Sequence, residues 1–504
     1  MSVTQCTTKH AVDELVESYQ RVPMLIIATH PNRERIGERA ALLDLHLSGT
    51  DYLSRVKPEF AKNGNAGRAL LDEYVSRSPI IFEATDSGGI KLRAHSTKTV
   101  LTLAGRRPQD EYLVSEDELD NGVVLGLNHR IVLLFKRLPL KDTTVDDSHT
   151  LMGISADIQA IRHRVEHLAT LSVPVIIRGA IGVGKQQAAY AIHKEQFGDD
   201  KPFISVNLAA IHDAVAEAEL FGVVRNAKHQ PGYFEQAAGG TIVLEDIEDA
   251  SDNIHQLLSR ALQSQSVMPK GGTKAIPIEC RIIITSHQES SAVDESSMVS
   301  MLFEKLAPYQ LFMPPLVQRK EDVGLLFDAF VREQWRKLYP EKADQFVIPG
   351  ELMKQLMTFT WPGNVRQLRN VARQVVIDSR DQEQLYLDPQ LLSLLKPQSP
   401  QTGSVESAPK QRRPNSVSRG ELTGALESCR FELQAVAKKL HISRASVYQL
   451  IQRFDGLQTA QDLSESEIKD SYAKHRGDTE KMMWELRVSQ IGLRRRLKSL
   501  GYDI

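Results

Sequence analysis

Between Met24 and about Arg137 the chain alternates short apolar, β-branched runs with Gly, Asp and Asn: "MLIIATH", "PIIFEA", "TVLTLAG" and "GVVLGLNHRIVLLFKR". Runs of that length and spacing predict the strands of an all-β sandwich. The first 20 residues read as a short polar helix or a loose end, and the polar "KDTTVDDSHT" at 141–150 reads as a linker. From about Leu151 to Arg380 the pattern changes. Strand-like "PVIIRG", "PFISVN", "GGTIVLED" and "CRIIITS" alternate with stretches of helical period, the signature of βαβ units on a parallel sheet. A more helical part follows Pro314, and a Pro-, Ser- and Gln-rich stretch at 395–418 predicts a flexible linker. The final segment, 420–504, is helical and repeats itself weakly: "AVAKKLHISRASVYQLIQR" returns about 46 residues later as "KMMWELRVSQIGLRRRLKS", with Ile442, Ser443 and Val447 matched by Val488, Ser489 and Leu493.

Composition adds limits. A chain of 504 residues has room for about three domains at roughly 150 residues each. Hydrophobic content of 41% with 25% charged residues suits chains that bury real cores. A net charge of −2 means that any nucleic-acid surface is local. Cys6, Cys280 and Cys429 lie far apart without a CxxC pair, against a zinc site or a disulfide framework. No apolar run approaches the ~18 residues of a membrane span, so the expectation is a cytoplasmic protein without a membrane partner.

Chemistry enters at "IIRGAIGVGKQ". Gly179, Gly182, Gly184 and Lys185 follow an apolar strand and open a helix. Glycines let backbone amides wrap phosphate oxygens, the helix N-terminus adds positive potential, and a lysine reaches the outer phosphates. The GxxxxGK spacing fits, although the Ser or Thr that usually follows is Gln186. About 60 residues on, "TIVLEDIED" supplies an apolar strand ending in Glu245 and Asp246, the acids expected to hold Mg²⁺ and orient water.

Residues 151–380 resemble the AAA+ domain of bacterial enhancer-binding proteins, which remodel RNA polymerase carrying sigma-54. The resemblance rests on "LMGIS", "RGAIGVGKQ", "PFISVN", "AELFG", "PGYFEQAAGGTIVLEDI", "PPLVQRKEDV" and "WPGNVRQLRN", in that order. It implies ATP, with Mg²⁺, cradled by Gly179 to Gln186, "LMGIS" near the adenine, and Arg366 as a lid arginine sensing the γ-phosphate. Three departures fall on the motor's output. The segment that carries GAFTGA in active members is here "VVRNAKHQ", about five residues shorter. The usual Asp-Glu pair is reversed as Glu245-Asp246, and misplacement of that size costs on the order of 10²-fold in rate. No arginine occurs between Arg281 and Arg319, where the family presents its trans-acting finger, and Lys305 is a poor substitute. Loss of such a finger costs about 10³–10⁵ in rate. The implication is ATP binding with weak or absent hydrolysis.

The carboxy-terminal repeat has helix-turn-helix grammar and resembles Fis-type DNA-binding domains. The resemblance implies contacts to promoter or enhancer DNA from Arg444, Ser446, Tyr448, Gln449 and Arg453 in the first unit. In the second, Arg487, Arg494, Arg495, Arg496 and Lys498 form a basic surface for phosphates. Two units in series leave two uses open: reading adjacent half-sites, or one unit serving in dimerisation. The amino-terminal region resembles a forkhead-associated (FHA) domain through "RIGER", "YVSRSPIIFEA" and the closing strands. That resemblance implies a phosphothreonine site at Arg39, Ser76, Arg77 and Lys98, although Pro79 occupies the place of the family's histidine.

The expected chain is multidomain: an FHA-like all-β sandwich (1–140), an α/β AAA+ P-loop domain with helical lid (150–385), a flexible linker (386–419) and an all-α tandem helix-turn-helix (420–504). The expected function is ATP-dependent control of assembly, as a homo-oligomer, or of DNA binding. Two alternatives stand beside it: a sigma-54-dependent activator ATPase with an unconventional loop, and an interaction protein for phosphorylated partners.

Overall fold

The computed structural model describes residues 21–62, 64–94, 97–103, 111–140, 150–226, 228–287, 309–341, 346–380, 384–386, 419–440, 447, 450–451, 454, 463–475 and 477–500. The chain divides into two units, Met1–Pro397 and Gln398–Ile504.

In the first unit, β1 (Val22–Thr29) is apolar up to its last residue, and every position in it is buried. It pairs antiparallel with β9 (Ile131–Leu138) and β2 (Arg39–Ala41), and β8 (Val123–Leu127) and β6 (Leu101–Leu103) complete a sheet of order β2-β1-β9-β8-β6. A second antiparallel sheet is formed by β3 (Thr50–Leu53), β4 (Ile80–Ala84), β5 (Ile90–Arg93) and β7 (Glu111–Val114). Alternation along a strand sends successive side chains to opposite faces. Leu25, Ile27, Leu133 and Phe135 therefore meet Phe60, Phe82 and Leu92 inside the sandwich.

The nucleotide-binding part is a parallel sheet of order β11 (Phe203–Asn207), β14 (Thr241–Glu245), β17 (Arg281–Ser286), β10 (Val175–Arg178) and β18 (Gln310–Phe312). Helices α1 (Ala156–Ala169), α2 (Lys185–Phe197), α3 (Asp213–Phe221) and α4 (Asp252–Ser264) accompany it. After α3 comes a short antiparallel hairpin, β12 (Val223–Arg225) and β13 (Lys228–Gln230). Beyond α4, β15 (Ser266–Val267) and β16 (Ile276–Pro277) form another. A lid of α5 (Glu321–Leu338), α6 (Gly350–Thr358) and α7 (Asn364–Asp378) follows. The observed order is thus a mostly-β domain, an α/β AAA+ domain with helical lid, and a helical carboxy-terminal region.

The sandwich and the lid of the AAA+ domain pack against each other. Met24, Ile26, Val132 and Leu134, on the outer face of the β1–β9 pair, share one core with Val323, Phe327 and Val331 of α5 and Leu352 and Met353 of α6. The backbones come close enough that a Cβ on Gly324 would lie 2.4 Å from the Ala28 carbonyl oxygen. Polar side chains complete the seam. Arg33 Nε donates to Asp328 at 2.7 Å and its guanidinium lies 3.6 Å from the Phe346 ring centre. Lys136 Nζ meets Glu321 at 3.0 Å with both side chains buried, and Lys354 Nζ donates to Thr102 Oγ1 at 3.2 Å. The sandwich and the lid are one packed body.

In the second unit, α8 (Arg419–Ser428) and α9 (Leu433–Leu440) pack with the helical residues Val447, Leu450 and Ile451. Next come α10 (Glu465–His475), α11 (Thr479–Leu486) and α12 (Gln490–Ser499), which build a second small core on Leu463, Ile468, Met482, Val488, Leu493 and Leu497. The sequence repeat holds in burial, since Val447 and Leu493 are both at 0% exposure. Within this second unit the two helical repeats join where Met483 enters the first core and Trp484 meets Phe431 edge-on at 5.6 Å. Among the described residues no helix is long and apolar enough to cross a membrane.

Candidate nucleotide site

The phosphate loop runs from the end of β10 to the start of α2. Gly179 and Gly182 hold φ of 148° and 80°, a region that L side chains rarely adopt. A Cβ on Gly182 would also lie 2.3 Å from the Gly363 carbonyl oxygen of the lid. Gly184, at φ 107°, caps α2, whose first residue is Lys185. Lys185 Nζ donates to the Gly179 carbonyl at 2.9 Å and lies 3.7 Å from Asp246. Burial lowers the Lys185 pKa, and Asp246 opposes that shift.

The lid closes over this loop through contacts that sequence reasoning did not single out. Asn364, at the start of α7, accepts from the Leu316 amide at 2.8 Å and donates to the Ile181 carbonyl at 3.0 Å. Arg319 donates to the Val183 carbonyl at 2.8 Å. Asp322 accepts from the Ile154 and Ser155 amides and the Ser155 hydroxyl at 2.5–2.7 Å, fixing "LMGIS" against α5. The result is a cleft of about 510 Å³ lined by Lys185, Gln186, Glu245, Asp246 and Arg366, and by Leu151 and Met152. Arg369 also lines it, paired with Glu333 at 2.7 Å and lying over Phe330. Asn364 and Arg369 stand in "WPGNVRQLRN", in which the family resemblance singles out Arg366.

The acids are placed differently from each other. Glu245 ends β14, and its carboxylate accepts the Ser205 hydroxyl. Asp246 follows at φ 51°, a left-handed position that Asp tolerates, and its amide donates to Thr285 Oγ1 at 3.0 Å. Cationic Lys185 and Arg366 with the loop amides fit a polyphosphate. The oxygen donors of Glu245 and Asp246 fit Mg²⁺, a hard cation. The segment around Lys305 lies outside the described residues.

The other expected sites fare unevenly. Ser76 and Arg77 precede β4, and the Ser76 amide donates to Thr99 Oγ1 at 2.8 Å, beside exposed Lys98. Arg39, whose backbone lies in β2, donates to the Ile154 carbonyl at the seam with the AAA+ domain. Burial there lowers its pKa, and Glu321 and Asp322 oppose that shift. Arg444, Ser446, Tyr448, Gln449 and Arg453 lie outside the described residues. Arg487 follows α11 and is exposed; on α12 with Arg495, Arg494 and Lys498 are exposed and Arg496 is half-buried.

Residues 151–312 match the family described as the Sigma-54 interaction domain, and residues 317–405 match the AAA+ ATPase lid domain. The chain is 28% identical to the transcriptional activator RocR of Bacillus subtilis, over 64% of this chain and 72% of RocR. It is 30% identical to the DNA-binding transcriptional regulator NtrC of Escherichia coli, over 64% of this chain and 69% of NtrC. With DctD of Pseudomonas aeruginosa, a C4-dicarboxylate transport transcriptional regulatory protein, identity is 34% over 49% of this chain and 54% of DctD. The lid family is that of AAA+ ATPases, so the nucleotide proper to this domain is ATP. The chain belongs to the AAA+ transcriptional regulators that carry a sigma-54 interaction domain.

Proposed function

We propose that this chain is a DNA-binding transcription regulator in which ATP sets the position of the lid, and the lid carries the amino-terminal sandwich with it. The observation that carries the reading is the pairing of two features in one body. Arg366 of the lid and Lys185 line the same cleft, and α5 and α6 of the same lid share a core with β1 and β9. ATP, when bound, supplies the phosphate charge between core and lid. Lys185 and Arg366 hold opposite sides of that charge, and Asn364 and Arg319 fix the loop to the lid. A difference in affinity for two lid positions shifts their populations, and assembly as a homo-oligomer or docking on promoter or enhancer DNA follows. Arg494, Arg495, Arg496, Lys498 and Arg487 provide the phosphate-binding surface for DNA. Ser76, Arg77 and Lys98, with Arg39, are the place for a phosphothreonine partner.

Filter retention of labelled ATP, compared with Lys185→Ala, tests the first step. Retention by the parent alone supports it, and equal retention sinks it.

A second reading is a sigma-54-dependent activator ATPase. It is favoured by the match over 151–312 and by the β12–β13 hairpin. That hairpin stands where the family's contact loop belongs and exposes Arg225, Lys228 and His229. Turnover of several ATP per minute on the protein's own DNA, with transcription lost in cells lacking sigma-54, selects this reading over the first.

A further inference from the structure

The phosphate loop of this chain lacks the hydroxyl that usually follows its lysine and serves the metal ion, because position 186 is Gln. The fold brings a hydroxyl from another element. β11 lies beside β14 in parallel register, with Ser205 opposite Val243 and Asn207 opposite Glu245. Period-two alternation therefore puts Ser205, Val243 and Glu245 on one face of the sheet. It is the face that packs on α2, since Val243 shares a core with Ala188 and Ala189. At its edge the three polar side chains connect. Gln186 Nε2 donates to Ser205 Oγ at 3.5 Å, and Ser205 Oγ donates to Glu245 Oε1.

We propose that the relay Gln186–Ser205–Glu245 replaces the missing loop hydroxyl on the metal side of the site, with Ser205 as the residue that positions the carboxylate. The reading of the cleft as a Mg²⁺-nucleotide site underlies this proposal. Gln186 has no hydroxyl, but its amide fixes the direction of the relay. With an N–H aimed at Ser205 Oγ, the serine proton turns to Glu245. Oε1 is then occupied as an acceptor, and Oε2 is the oxygen left to face the ion. This also gives a use to the acid order Glu-Asp. The extra methylene lengthens the reach of Glu245, and a hydrogen bond from a neighbouring strand restrains that longer arm. Partners that orient a ligating carboxylate in this way are typically worth about 10–100-fold in metal affinity.

The test is Mn²⁺ binding to the full-length chain, read by electron paramagnetic resonance with a non-hydrolysable ATP analogue present. Nucleotide affinity in EDTA is measured beside it. Ser205→Ala is expected to weaken Mn²⁺ binding roughly tenfold while nucleotide affinity in EDTA stays at the parental value. Ser205→Thr should retain Mn²⁺ affinity, and adding Gln186→Thr to Ser205→Ala should restore it by returning the hydroxyl to the loop. Parental Mn²⁺ affinity in Ser205→Ala overturns the proposal. So does an equal loss of nucleotide affinity in EDTA, which would place the serine's effect on the nucleotide or the fold. If the parent chain binds no nucleotide at all, the reading of the cleft fails as well, which separates the two failures. Ser205 is exposed in the middle of its edge strand, so its truncation removes little packing.

Discussion

Phe327 gives the sharpest way to ask whether sandwich and lid are one body. It sits on α5 at 0% exposure, in the core that joins Ile26 and Leu134 of the sandwich to Met353 and Trp361 of the lid. Truncating a fully buried Phe to Ala removes its transfer energy and leaves a cavity, at a cost of about 3–5 kcal/mol. With a urea dependence near the upper end for small proteins, ~3 kcal/mol per molar, the unfolding midpoint of that body should fall by roughly 1–1.7 M. Two probes separate the halves. Trp335 and Trp361, both 2% exposed in this core, report the lid by fluorescence once Trp484 of the other unit is changed to Phe. Amide hydrogen exchange in β4, on the far sheet of the sandwich, reports the β domain. The shared core predicts that Phe327→Ala moves both signals together. A shifted tryptophan transition with parental protection in β4 would refute the reasoning, because the sandwich would then be stable without the lid.

Further outcomes follow from individual contacts. Gly324→Val should cut the yield of folded chain sharply, because its Cβ would overlap the Ala28 carbonyl at 2.4 Å; thermal melting of whatever folds gives the readout. Arg366→Ala should weaken ATP binding by about 10–100-fold, the worth of a hydrogen bond to a charged group, measured by titration with a fluorescent analogue. A hydrogen bond from Lys474, helped by the Ser471 hydroxyl, lowers the Glu485 pKa to about 2 from an ordinary 4.5. The depressed folded value means that this stability is present above pH 4.5 and lost as pH falls toward 2, so acid unfolding followed by Trp484 fluorescence should lose that limb in Glu485→Gln. Replacing Arg494 and Lys498 by Ala should lower the slope of log affinity for duplex DNA against log salt by about 0.9 for each phosphate contact removed.

Much of this was legible along the chain. The apolar run before the glycine loop, the loop spacing and the acids closing "TIVLED" each appear where the pattern places them, because strand, loop and helix there obey local rules. The sandwich strands were equally plain. Their second buried face was not, since the helix that covers β1 lies about 300 residues downstream and no local spacing announces it. One signal was present: "VPMLIIA" and "IVLLF" are continuous apolar runs without a polar side, as strands covered on both faces tend to be. The contact of Arg39 with the Ile154 carbonyl was hidden for the same reason, as its partner is remote in sequence. Ser205 escaped notice because a serine in a strand carries no motif; only the register of β11 on β14 puts it at Glu245.

The most direct measurement maps bound sites and transcripts across the genome in parent cells, in cells carrying Lys185→Ala, and in cells deleted for sigma-54. The proposed function predicts that Lys185→Ala depletes occupancy at the chain's sites, while deletion of sigma-54 leaves both occupancy and the dependent transcripts in place. Undiminished occupancy in Lys185→Ala, or collapse of those transcripts without sigma-54, would contradict it.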